Sequence, residues 1–178
     1  MKTYKTEGIV LKRSDFGEAD RILTIFTKHY GKIQVIAKGV RKTISRKGPS
    51  LELFNHVRLF IAKGKNLDII TEAEVINSFP GFRKNLKKVA LAYQACELVD
   101  NLTAERAENK EVFDLLKNYL LQSSNQPSAI SNQQFSLKLL QSLGFWPKDQ
   151  SADNIDIEKY IESLMEKKLK SKKFLNHV

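Results

Sequence analysis

The sequence predicts an α+β chain: a small five-stranded β-barrel over residues 1–80, followed by an all-α helical domain over residues 81–178. Three observations carry this expectation. Seven of the eight glycines lie in the first 81 residues, spaced as turns between short strands, and only Gly144 lies beyond. Apolar residues alternate with period two in the first half and recur with helical period in the second. Between the two patterns stands Ser78-Phe79-Pro80-Gly81, whose Pro-Gly pair ends a strand and precedes a helix.

The first strand is read over Tyr4 to Lys12, a β-branched and apolar run. In the second, Ile22 to Thr27, Leu23 and Ile25 share a face. In the third, Ile33, Val35 and Ala37 alternate with Lys32, Gln34 and Ile36. In the fourth, Val57, Leu59 and Ile61 alternate with His56, Arg58 and Phe60. In the fifth, Leu67, Ile69, Thr71, Ala73 and Val75 form the apolar face, and Asp68, Ile70, Glu72 and Glu74 the other. A sheet this short disposes of its edges most simply by closing on itself. Five strands favour the oligonucleotide/oligosaccharide-binding (OB) barrel over eight-stranded barrels, and the pattern alone leaves an SH3-like barrel open.

Four amphipathic helices are expected to follow. The first carries Phe82, Leu86, Val89, Tyr93, Cys96 and Val99, flanked by Leu91, Ala95, Leu98 and Leu102, a stripe wide enough to be surrounded by other helices. Asn109 is placed to cap the second, with Val112, Phe113, Leu116, Tyr119 and Leu120 on one side. Pro127 is placed to open the third, with Phe135, Leu139, Leu140 and Leu143 apolar and Gly144 as its stop. Asp153 is placed to cap the fourth, which carries Ile157, Tyr160, Ile161, Leu164 and Met165. Four such stripes bury themselves by packing together.

The chain has 178 residues, is 42% hydrophobic, and carries 30 basic against 20 acidic side chains, a formal charge of +10. Its sequence pI is near 9.6. Such a chain seeks a polyanion, nucleic acid before an acidic membrane surface. The one cysteine, Cys96, excludes an internal disulfide framework and a zinc site of several thiolates, and fits a reducing cytoplasm. The opening MKTYKTEG has no apolar core of a secretory signal, and no run of 18 apolar residues spans a membrane. No catalytic constellation is visible. His29, His56 and His177 lack metal-ligand spacing, which leaves them as solvated or half-buried residues. Gly31-Lys32 and Gly64-Lys65 lack the upstream glycine and the following hydroxyl of a phosphate-cradling loop. Cys96 sits on an apolar helix face, and no G-x-S-x-G occurs. The expectation is a binding protein, not an enzyme, with no cofactor and no metal.

The chemistry concentrates in residues 38–48, Lys-Gly-Val-Arg-Lys-Thr-Ile-Ser-Arg-Lys-Gly. Lys38, Arg41, Lys42, Arg46 and Lys47 are basic and no residue is acidic. The half that contains them, residues 1–80, holds 15 basic and 8 acidic side chains. A mobile loop of one charge sign beside a barrel tracks a phosphate backbone by releasing its condensed counterions. Phe16, Tyr30 and Phe60 are candidates to stack bases, each read first as a core residue. A second basic cluster, Arg83-Lys84-x-x-Lys87-Lys88, faces solvent on a helical turn, and Lys167 to Lys173 reads as a solvated tail.

These residues also resemble a known family. Gly8-Ile9-Val10-Leu11-Lys12, Gly17-Glu18-Ala19-Asp20-Arg21-Ile22-Leu23-Thr24, Gly31-Lys32 and Ala37-Lys38-Gly39-Val40-Arg41-Lys42 follow in the order and spacing of the RecO family of bacterial DNA repair proteins. Ser45-Arg46, Leu51-Glu52-Leu53-Phe54, Glu72-Ala73-Glu74-Val75 and Ser78-Phe79-Pro80-Gly81 continue the match, and Leu169-Lys170-Ser171 is similar to the family's terminal motif. The resemblance implies an N-terminal OB barrel and a C-terminal helical domain. It implies a recombination mediator that binds single- and double-stranded DNA and anneals complementary strands. It further implies work with RecR to load RecA onto DNA coated by single-stranded-DNA-binding protein, whose acidic C-terminal tail it binds. The implied setting is cytoplasmic and nucleoid-associated. Lys32, Lys38, Arg41, Lys42, Arg46 and Lys47 are the expected DNA contacts, and Lys84, Lys87 and Lys88 the candidates for the acidic tail. Many members carry a four-cysteine zinc module in the helical domain, which has no counterpart between Gly144 and the last expected helix. Two other readings stand beside this one: an adaptor for acidic protein tails, and an OB-fold RNA-binding protein.

Overall fold

The computed structural model describes residues 2–126 and 131–177. The chain divides into two compact units, Met1–Ser78 with Ala104–Lys110 and Phe79–Thr103 with Glu111–Val178. The first unit therefore takes in a segment that a split into 1–80 and 81–178 assigns to the second half.

Among the described residues, the first unit has five strands: β1 (Thr3–Phe16), β2 (Asp20–Thr27), β3 (Gly31–Ala37), β4 (His56–Ala62) and β5 (Asp68–Asn77). They close a barrel in the order β1-β2-β3-β5-β4. Neighbours are antiparallel except β3 and β5, which meet in parallel at Val35–Asp68 and Ile36–Ile69. This is the OB arrangement, so the SH3-like alternative falls away. The long β1 serves two partners, pairing β4 over residues 3–9 and β2 over residues 8–16. Leu11 is the extra residue of a bulge there, which turns the strand from one partner toward the other.

Leu23, Ile25, Ile33, Val35, Val57, Leu59 and Ile61 fill the interior, on the faces the alternation predicts. The fifth strand corrects that reading. Register shifts lie between Phe60 and Ile61 and between His56 and Val57, so Thr71 and Ile76 are extra residues on β5. Each one reverses the inward phase. The first puts Ile70 in the core with no exposure while Ala73, beyond it, packs on the same interior; Val75, opposite core residue Val57, is nonetheless 44% exposed. β2 departs differently: Leu23 through Thr27 are all buried, so both of its faces are covered.

The link from β3 to β4 is anchored by its own apolar residues. A 3-10 turn at Pro49–Leu51 sets Leu51 into the barrel core together with Val40. At the other end of β3, residues 104–110 lie against the β2–β3 turn. The Arg106 N–H donates to the Lys32 carbonyl at 2.8 Å, and the Ala107 backbone occupies the space a side chain at residue 31 would need. Gly31 has φ +61°, a second reason for glycine. Asp68 gathers this end of the barrel. Its carboxylate accepts from the Tyr4 hydroxyl at 2.8 Å and the Gly64 N–H at 3.3 Å, with Lys63 at 3.4 Å and Arg106 at 3.6 Å. Burial pushes the Asp68 carboxyl up, but the bonds from Tyr4 and Gly64 and the Lys63 ammonium outweigh it and hold the group below the ordinary carboxylate range.

The second unit is helical: α1 (Leu86–Leu102), α2 (Lys110–Asn125), α3 (Asn132–Ser142), α4 (Ile157–Met165) and α5 (Ser171–Leu175). α1 packs against α3 and α5, and α3 against α4. Asn85 caps α1 by accepting from the Lys88 N–H. The buried face of α1 runs through Ala90, Ala95, Cys96, Leu98 and Val99, while Leu86 and Tyr93 of the expected stripe are exposed. α2 begins one residue after Asn109 and buries the predicted stripe. The expected opening of α3 at Pro127 lies outside the described residues; Ser131 caps the helix by accepting from the Gln134 N–H. Gly144, at φ +78°, ends α3 as predicted, its N–H donating to Gln141 and the Phe145 N–H to Leu140. For α4 the cap is Asp156, not Asp153, because only Asp156 stands three residues before the free Lys159 N–H. Asp153 accepts from the Ser151 hydroxyl instead.

Two polar devices hold this unit in register. Buried Gln94 of α1 donates to Glu158 of α4 at 3.0 Å and accepts from Asn132 of α3, which accepts from the Tyr119 hydroxyl of α2. The expected solvated tail is tied down as well. Glu97 of α1 accepts from the Lys170 and Ser171 N–H groups at 2.7 and 2.9 Å, and Leu169 is buried.

Gly31→Ala must both adopt φ +61° and displace the Ala107 backbone, so it loses about 3 kcal/mol in urea unfolding. Gly17→Ala, at φ +57° with open space around it, loses only about 1 kcal/mol. Because folding lowers the Asp68 pKa, its contribution is fully present above the ordinary carboxylate value near 4 and is lost as pH falls through the folded value. Asp68→Asn is expected to be less stable at pH 7 and to flatten the stability–pH curve below about pH 4.

Candidate nucleic-acid interface

The β3–β4 link departs from the barrel beside the β1–β2 turn, because Ala37 at the end of β3 pairs with Arg21 at the start of β2. Backbone bonds fasten the two. The Gly39 N–H donates to the Asp20 carboxylate at 2.7 Å, and the Arg41 N–H to the Ala19 carbonyl at 2.9 Å. The Arg41 guanidinium donates to the Gly17 carbonyl at 3.2 Å and lies 3.4 Å from Asp15. Asp15 also accepts from Arg21 at 2.9 Å; that bond, with Arg41 and Arg13 nearby, holds its carboxyl below the ordinary range. Beyond Arg41 the chain forms successive turns, Lys42 N–H to Gly39 O and Ser45 N–H to Lys42 O. The loop expected to be mobile is thus hydrogen-bonded along its first half, with Thr43 and Ile44 at the apex of the second turn.

This arrangement sorts the predicted cations. Arg41 is a fastener, bound to the β1–β2 turn. Lys47 reaches the Ile70 carbonyl at 3.1 Å and is half-buried. Lys38, Lys42 and Arg46 are exposed and make no ion pair with any described residue. Nearby acids are largely engaged: Glu52 by Arg13 and, at 3.9 Å, by Arg21, and Asp15 and Asp20 as above. Among the described residues, Asp20 is engaged only by the Gly39 N–H, and neither it nor Glu18 on the turn makes an ion pair. Lys32 does not join the group. It stands at the far end of β3, only 9% exposed, where the 104–110 segment bridges to it through Glu105.

The aromatic candidates need correcting too. Phe16 is 52% exposed at the end of β1 beside the β1–β2 turn and Tyr30 is 40% exposed, so neither is a core residue. Strand ends at turns leave them there, Tyr30 resting on Tyr4 with ring centroids 4.7 Å apart. Phe60 is half-buried under the Lys5 ammonium. Ile44, 88% exposed, had no periodic signal to mark it. The histidines divide: His56 is buried, 3.3 Å from Glu7, while His29 stays exposed, 3.6 Å from Glu108.

In the helical unit, Lys84 and Lys87 are exposed, and the half-buried Lys88 donates to the Ser124 carbonyl at 3.1 Å. A zinc module has no donor set there. Cys96 is fully buried with its thiol pushed up by desolvation, and among the described residues no three His, Cys, Asp or Glu converge as metal ligands. Among the described residues no helix is long and apolar enough to cross a membrane.

A family model described as Recombination protein O N terminal matches residues 1–79, and one described as Recombination protein O C terminal matches residues 83–151. The chain is 42% identical over 149 residues to a protein of Roseiflexus sp. strain RS-1 named DNA repair protein RecO, covering 83% of this chain and 52% of that one. It is 35% identical over 147 residues to the protein of that name from Pelotomaculum thermopropionicum, covering 83% and 57%. With that from Trichodesmium erythraeum it shares 44% over 119 residues, covering 67% and 41%. The chain spans about half the length of these curated relatives.

Arg41→Ala removes a charged bond to a carbonyl and a contact with Asp15, and is expected to cost about 1 kcal/mol in denaturant unfolding. Lys42→Ala, which breaks no side-chain bond to a described residue, stays within about 0.5 kcal/mol.

Proposed function

The chain belongs to the RecO family of DNA repair proteins, and from that premise we propose that it binds DNA strands on the OB barrel and promotes their annealing without covalent chemistry. The observation that carries this reading is the set of exposed cations Lys38, Lys42 and Arg46, without ion pairs among the described residues and held on a loop hydrogen-bonded to the β1–β2 turn. Phosphates settling on such a surface release condensed counterions. Two strands neutralised together repel each other less, and base pairing then supplies the free energy. Annealing of this kind requires no nucleophile and no nucleotide hydrolysis.

In the same proposal the protein acts with RecR to load RecA onto single-stranded DNA coated by single-stranded-DNA-binding protein. The acidic tail of that protein is held near Lys84 and Lys87, whose ammonium groups are free of ion pairs among the described residues; Lys88 is already committed to Ser124. The setting is the cytoplasm, at the nucleoid.

The test is a salt series of oligonucleotide binding with the whole chain and a Lys38→Glu, Lys42→Glu, Arg46→Glu variant. Three phosphate contacts on a single strand contribute roughly −2 to the slope of log affinity against log salt. The variant is expected to lose that part of the slope and to bind roughly tenfold or more weakly at low salt. Unchanged affinity and slope would overturn this placement of the surface.

A further inference from the structure

The loop exposes an apolar side chain among its cations. Ile44 is 88% exposed, well beyond Phe16 at 52% and Leu86 at 59%. Its position is fixed: Ser45 N–H bonds back to Lys42 O, which makes Thr43 and Ile44 the apex of a turn. The turn before it, Lys42 N–H to Gly39 O, is bonded in its course to Asp20 and Ala19. The apex therefore stands on a supported stem. Lys42 precedes Ile44 by two residues and Arg46 follows by two, both exposed and without ion pairs among the described residues. A second apolar side chain, Phe16, is exposed at the end of β1, next to Gly17 to which Arg41 bonds.

A β-branched aliphatic held in water between two cations has no role in folding, and a surface that only tracked phosphates would not need it. An apolar tip with cations two residues to each side suits a partner whose outside is anionic and whose inside offers flat apolar faces. A nucleic-acid strand is such a partner: the flanking cations take phosphates while the tip enters the base stack, as apolar side chains do when they part base steps.

We infer that Ile44 is a wedge that inserts between adjacent bases of a DNA single strand bound on this loop, opening the stack so that the strand is presented extended for pairing. The inference rests on the proposed DNA-binding role and adds the element that acts on bases. It separates two jobs in one loop: Lys38, Lys42 and Arg46 set affinity and its salt dependence, and Ile44 sets the conformation of the bound strand.

The experiment uses the whole chain and a single-stranded oligonucleotide carrying 2-aminopurine at internal positions, whose fluorescence is quenched by stacking. Binding by the unaltered protein is expected to raise the fluorescence. Ile44→Ser is expected to abolish that rise and to weaken binding roughly fivefold, the low end of what one stacked base contributes. The salt slope stays unchanged, because no charge is lost. Ile44→Leu is expected to restore the rise, which a nonspecific disturbance of the loop would not explain. Ile44 has almost no packing to lose, so the folded state survives each change. If Ile44→Ser binds and raises fluorescence as the unaltered protein does, the wedge is overturned while the cationic surface stands. If the unaltered protein does not bind the oligonucleotide, both the wedge and the DNA-binding role fall.

Discussion

The barrel closes through two residue pairs. Val35–Asp68 and Ile36–Ile69 are the whole of the parallel seam between β3 and β5, and every other seam is longer and antiparallel. A seam so short holds because the groups around it are fixed. Asp68 is bonded to β1 through Tyr4 and to the β4–β5 turn through Gly64 and Lys63, and Ile70 fills the interior behind it. Closure sets where β3 ends, and so where the basic loop leaves the barrel. The arrangement of cations follows from that departure point and from the two apolar anchors, Val40 and Leu51, that bring the link back into the core.

The loop solves a conflict between order and charge. A run of five cations repels itself, and the backbone needs partners to hold a shape. Here acceptors on the β1–β2 turn bind the backbone at Gly39 and Arg41 and the guanidinium of Arg41, while Lys47 is drawn onto a strand carbonyl. Two of the five cations thus supply order, and three keep their charge for solvent or a ligand. The acids that make this possible, Asp15 and Asp20, sit outside the basic stretch and were not conspicuous as part of it.

Much of this was legible in the chain because barrel interiors obey a period of two. Leu23, Ile25, Ile33, Val35, Val57, Leu59 and Ile61 all point where alternation placed them. The reading failed where a single inserted residue breaks the period. Thr71 and Ile76 on β5 leave no local mark, since a bulge is defined by the partner strand's register and not by the sequence that carries it. Aromatics at strand ends misled for a related reason: Phe16 and Tyr30 have core composition but turn positions. Lys32, read on the polar face of the third strand and as a DNA contact, is covered by residues distant in sequence that no local pattern reveals. The capping of α4 by Asp156 instead of Asp153 turned on which aspartate sits beside a free N–H, a matter of three residues. The docking of Lys170 and Ser171 on Glu97 spans more than seventy positions and has no periodic signature at all.

The excursion of residues 104–110 onto the barrel has a practical corollary for dissecting the molecule. A fragment that stops at residue 80 amputates a piece of its own wall. The carbonyl of Lys32 forfeits its donor, Arg106 vanishes from beside Asp68, and the hollow over Gly31 fills with solvent. Weak behaviour of such a fragment would report this missing splint, not the worth of the barrel as a binding module. The serviceable half-molecule is one that carries the splint with it, spliced after β5 through a linker.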